Sequence, residues 1–151
     1  MSNLSPENSH YLFHSPTEKK LSKQEQQEIL STKIEPIIKE GINNRVIKQN
    51  DILLPNPDQP RDWIHTTKPA TYEIMESVDN KTSQQIVYMS IKYGKKIDDK
   101  DDEITVKQPM INIFVKDKYF VFIKDNDIDN PQFVPICLDQ LETHILQLFE
   151  N

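Results

Sequence analysis

Two glycines, Gly41 and Gly94, are all that the 151 residues contain. Phosphate-cradling loops need glycines at fixed offsets so that backbone amides can approach the anion, and no P-loop or dinucleotide fingerprint can be built from this pair. Nucleotide-binding enzymes that depend on those loops are thereby excluded. Cysteine occurs once, at Cys137, so there is no intrachain disulfide and no Cys-x-x-Cys pair for zinc or redox chemistry. That favours a reducing compartment. The longest apolar runs, Ile52 to Leu54 and Tyr119 to Ile123, fall far short of the about 20 residues that span a bilayer. Met1 to Phe13 lacks a basic segment followed by an apolar one. The expected localisation is cytoplasmic, with nuclear placement or non-classical export also compatible.

What is plentiful is charge. Lys plus Arg number 18 and Asp plus Glu 24, a formal net charge of −6, and residues 101–151 alone carry ten acidic against four basic groups. This field repels phosphate backbones and anionic membranes, which disfavours generic nucleic-acid or lipid binding.

The length suits one domain. Residues 1–16 are polar and aperiodic and are expected to form a flexible tail, leaving 17–151 as a single α+β domain. Ser15 to Glu18 and Ser22 to Glu25 both match a capping box, so a helix is expected through about Lys33, with Leu21, Ile29, Leu30 and Ile34 as its apolar stripe. Pro36 should end or kink it, and a second short helix containing Ile37 and Ile38 should stop at Gly41. Residues 43–69 read as irregular. Within them, 53–68 reads as a long loop in which Pro55, Pro57 and Pro60 precede the only tryptophan, Trp63.

From Thr71 the apolar period becomes two. Tyr72, Ile74 and Val78 mark one strand, Asp79 to Lys81 a turn, and Val87, Met89, Ile91 and Tyr93 one face of the next strand. A charged loop, Lys95 to Glu103, precedes a short edge strand at Ile104 to Val106. Met110 to Lys124 is the clearest unit. A two-residue turn at Asp117-Lys118 puts Ile111, Ile113, Val115, Phe120 and Phe122 on one face, and Phe114, Tyr119, Val121 and Ile123 on the other; since Asp-Lys is not a favoured type I′ pair, a longer loop with a shifted register is the alternative. Such a central hairpin is covered on both sides, or on one side with the other free for a partner. Leu138, Leu141, Ile145 and Leu148 recur at helical spacing, with Asp139 or a neighbour as cap. The expected architecture is α+β: an N-terminal helix, a four- to five-stranded antiparallel sheet with a central hairpin, and a C-terminal amphipathic helix packed on the sheet.

Signatures of chemistry are weak. Asp125, Asp127 and Asp129 alternate as in half a calcium loop, but Asn130 replaces its glycine and Ile136 its bidentate carboxylate, so a solvated turn is the first reading. The acidic run Asp98 to Glu103 reads the same way, as a solvated loop. His10 and His14 lack a third ligand, and Cys137 lies between Ile136 and Leu138, where a small buried role is expected. No catalytic residue, metal site or cofactor is assigned, and the protein is read as non-enzymatic.

Two surfaces stand out. Arg61, Asp62, Trp63 and Ile64 combine residue types that dominate interfaces with prolines that lower the entropy lost on docking. They are the candidate contacts for another protein, as in an adaptor, an inhibitor or a secretion-chaperone-like module; a homodimer is also compatible. The alternative is a single-stranded nucleic-acid surface in which Tyr93 and Tyr119 stack bases and Lys95, Lys96 and Lys118 hold phosphates. Along residues 110–148, a hairpin, an acidic turn and Ile136-Cys137-Leu138-Asp139-Gln140-Leu141 leading into a terminal helix resembles the positive cofactor 4 family of coactivators, which implies single-stranded DNA binding. The usual glycine before the Ile-x-Leu step is missing.

Overall fold

A computed structural model describes residues 19–59, 63–94, 96–100, 103–107 and 109–150. The expected N-terminal tail and the Ser15 to Glu18 capping box lie outside them. Helix α1 (Lys23–Ile29) starts at the capping box read from the sequence: Ser22 Oγ accepts from the Glu25 amide at 3.1 Å, and the Ser22 amide donates to the Glu25 carboxylate at 3.0 Å. The bonds to Ser22 and the Lys19 ammonium beside it hold the Glu25 carboxyl below its usual range.

Pro36 does not terminate the helix. A π-helical turn (Leu30–Ile34) joins α1 to α2 (Glu35–Asn43), with the Glu35 amide donating to the Leu30 carbonyl five residues back. Widening the helix before the proline accommodates a ring that would otherwise clash with a carbonyl in the preceding turn. Gly41 does not stop α2 either. It is buried within it, and a Cβ there would lie 2.9 Å from Ile47 Cδ1 and 3.0 Å from Leu146 Cδ2. Its value is therefore close approach to α3 (Leu141–Gln147), while the left-handed residue beyond the helix is Arg45, at φ 58°.

Among the described residues, nine strands follow the N-terminal helices, in three sheets. The main sheet is antiparallel and runs β3 (Thr71–Val78), β4 (Gln85–Lys92), β7 (Met110–Val115), β8 (Tyr119–Lys124), β9 (Gln132–Pro135). The expected hairpin register holds, with Val115 opposite Phe120, Ile113 opposite Phe122 and a two-residue turn closed by Lys116 N–H to Tyr119 C=O at 2.9 Å. A one-residue slip would move Phe120 and Phe122 from the helix-side core to the opposite face, where Val121 and Ile123 now pack with Phe114.

One face of the sheet carries the principal core. Val87, Met89, Ile91, Tyr93, Ile111, Ile113, Phe120, Phe122 and Val134 cluster there with Leu30, Ile34 and Ile38 of the N-terminal helices and with Ile145 and Phe149 at the C-terminus. All three helices therefore lie on one side. Ile86, Phe114, Val121 and Ile123, flanked by Tyr88 and Tyr119, form a second cluster on the opposite face from strand residues alone.

Two local expectations need correction. The stretch 53–68 is largely a hairpin, in which β1 (Asn50–Pro55) pairs with β2 (Trp63–Lys68) and residues 56–62 connect them. Its prolines fall at the end of β1 and in the connection, where a missing amide hydrogen breaks no interior ladder bond. Likewise β5 (Lys96–Lys100) pairs with β6 (Glu103–Lys107) where a charged loop and an edge strand were expected. In that register Ile97 opposes Val106 and Lys100 opposes Glu103. The cap of α3 is Gln140, the neighbour of Asp139, and makes no side-chain bond.

Candidate functional site

The residues singled out for protein binding fall on the β1–β2 hairpin. Trp63 and Ile64 open β2, in register with Pro55 and Leu54, while Arg61 and Asp62 lie outside the described residues. Among the described residues the hairpin belongs to no larger sheet: β1 and β2 pair with each other. Its base is tied to the body. The Asn50 side-chain amide donates to the Pro69 carbonyl at 3.3 Å, and the Gly94 amide donates to the Lys48 carbonyl at 3.2 Å. Gly94 has φ 53°, one of the few places where the fold uses a glycine for its backbone. At the other end the Asn56 side chain accepts from the Asp58 amide at 3.0 Å and starts the connection as an Asx turn.

The alternative nucleic-acid set is not brought together. Tyr93 belongs to the helix-side core, 2% exposed, with its ring edge-on to Phe149 at 5.1 Å. Burial, with Asp125 adding to it, pushes its hydroxyl up to about 12. Tyr119 packs on the opposite face, edge-on to Phe133 at 5.4 Å. A strand passing one ring cannot stack on the other. Lys118 is exposed in the β7–β8 turn, Lys96 begins β5, and Lys95 lies outside the described residues.

The acidic turn after β8 is consumed by structure. Asp125 and Asn126 take φ of 54° and 60°, Asp125 exchanges two bonds with the Met110 backbone at 2.9 Å, and Asp127 accepts from the Asn130 side chain. Among the described residues no three His, Cys, Asp or Glu groups gather to hold a metal. Cys137 is exposed, in correction of the buried role expected for it, because the chain turns outward between β9 and α3. His144 is exposed on α3, and His10 and His14 lie outside the described residues.

One feature escaped the sequence reading: the edges of the main sheet are unequal. β9 is four residues long and ends in Pro135, a blunted edge. β3 is eight residues long without proline, with Met75 38% and Val78 55% exposed. Alternation gave away the strand, but strand order is a tertiary property. No family model, curated protein or solved structure matches the chain.

Proposed function

We propose that the protein is a non-enzymatic protein-binding module, an adaptor, inhibitor or chaperone-like partner, whose primary contact is the β1–β2 arm. The observation that carries this reading is the arm's topology: it lends no strand to the five-stranded sheet that builds the core. Six-residue strands give it a reach of about 20 Å at 3.3 Å per residue. The connection at its end holds Pro57 and Pro60 and leads through Arg61 and Asp62 to Trp63 and Ile64. Trp63 is the anchor, Ile64 its apolar neighbour, and Arg61 and Asp62 the charged rim that orients the partner. The burial of Tyr93 argues against the nucleic-acid alternative.

The test is Trp63→Ala. Binding to the partner recovered from the protein's own cell extract, then measured with purified components, should weaken at least about tenfold while the urea midpoint holds. An insoluble variant, or one with a strongly lowered midpoint, would make Trp63 a folding residue and refute the assignment. Salt-dependent anisotropy of labelled oligonucleotides at physiological ionic strength would instead restore the nucleic-acid reading.

A further inference from the structure

The β3–β4 ladder fixes which backbone groups of β3 are occupied. Asp79 N–H donates to Gln84 C=O at 2.9 Å, continuing a register in which Ser77 opposes Ile86, Met75 opposes Tyr88 and Glu73 opposes Ser90. Hydrogen-bonded pairs alternate along an antiparallel ladder, so the odd-numbered residues of β3 bond to β4. The amides and carbonyls of Tyr72, Ile74 and Glu76 therefore point out of the sheet, where no described strand meets them.

The side chains beside that open edge are of two kinds. On the face opposite the helices Glu73 and Met75 are exposed, and Met75 begins a row that crosses every strand: Met75, Tyr88, Phe114, Val121, Phe133. On the helix side Tyr72 donates to the Glu35 carboxylate at 2.8 Å, and Glu76 pairs with Lys23 at 2.9 Å. Glu73 and Glu76 make the edge acidic, no described strand covers it, and its apolar row can be extended by one more strand.

We infer that β3 is a docking edge for an extended basic segment of another protein, which joins the sheet as a sixth strand. The outward groups of Tyr72, Ile74 and Glu76 supply main-chain bonds, an apolar side chain continues the row beside Met75, and a Lys or Arg two residues away meets Glu73. Charge selects this occupant over a second copy of the chain. A copy would bring the same glutamates and a net charge of −6 to the same edge.

The probe is an acetylated, amidated eight-residue peptide, Thr-Lys-Thr-Val-Thr-Lys-Thr-Val, in which Lys and Val alternate along one face of the strand (the Lys-Val peptide; its Glu-Val counterpart has Glu for Lys), titrated into the full chain while amide exchange is followed by NMR. Exchange at Tyr72, Ile74 and Glu76 should slow about tenfold or more, with no change at Glu73 and Met75, which already bond to β4. The Glu-Val counterpart should give no protection. Glu76→Pro, which removes an outward amide that no described strand uses, should abolish the effect while costing the melting temperature no more than the exposed pair with Lys23 is worth. Glu73→Lys should weaken the Lys-Val peptide and serves as the second variant if the proline is not tolerated. Lack of protection by the Lys-Val peptide, equal protection by both peptides, protection without alternation, or dimerisation of the chain through β3 would each overturn the inference. Trp63→Ala should leave the peptide result intact, so failure of the arm and failure of the edge are separable.

Discussion

Gln26 tests the logic of the fold at a single side chain. The β4–β7 ladder ends at Tyr88 opposite Phe114, and beyond it Gln26 of α1 acts as a substitute strand. Its Oε1 accepts from the Val87 amide at 2.9 Å, and its Nε2 donates to the Gln85 carbonyl at 3.0 Å and to the Leu21 carbonyl at 3.1 Å. The residue is 3% exposed, so water does not replace these bonds. Gln26→Leu keeps the volume but orphans the Val87 amide and the Gln85 carbonyl, at about 1–3 kcal/mol each before any gain from the added apolar surface. A net loss of about 2–4 kcal/mol follows, which at about 2 kcal/mol/M lowers the urea midpoint by about 1–2 M with the slope unchanged. Gln26→Glu should fare no better, since it offers an oxygen where two carbonyls need a donor. Amide exchange at Val87 should accelerate in both variants. If Gln26→Leu lies within about 0.5 kcal/mol of the parent protein, the side chain is not the substitute strand described, and the coupling of α1 to β4 rests on apolar packing alone.

Two further outcomes follow from the core. Gly41→Val forces branches into the 2.9–3.0 Å approach to Ile47 and Leu146 and should cost about 1–3 kcal/mol by thermal melting; a neutral effect would refute the close α2–α3 approach. Tyr93 ionises only near 12 in the folded state against about 10 unfolded, so its contribution is complete below pH 10 and is lost as pH rises from 10 towards 12, by up to about 3 kcal/mol. Tyrosinate absorbance of the folded protein should show this late group, and Phe149→Ala, which opens the pocket around the ring, should bring its titration earlier.

The sequence carried most of the main sheet because those segments announce themselves locally. The Met110 to Lys124 hairpin and its two apolar faces were legible, and of the registers open to it the two-residue turn is the one that forms. Ser22 and Glu25 likewise signalled the start of α1 by their own chemistry. The β1–β2 and β5–β6 hairpins were not legible. Prolines around the first and like charges in the second hide the period-two signal, and their strands find partners only in each other. Of the candidate residues, Trp63 was conspicuous from composition alone, but that it opens a strand was not.

By itself, then, the sequence determined the α+β class, the helix-side core and the absence of glycine loops. These depend on residue types and spacings within one element, which local sterics and burial translate directly into structure. Only the tertiary structure decided that Gly41 serves a helix crossing, that Tyr93 and Tyr119 lie on opposite faces, and that β3 ends the sheet with no described strand beside its outer backbone groups. Each of those depends on which distant segments meet. A strand's pattern records how it faces the core, while its place in the sheet is set by pairing energies shared between chain segments far apart in sequence.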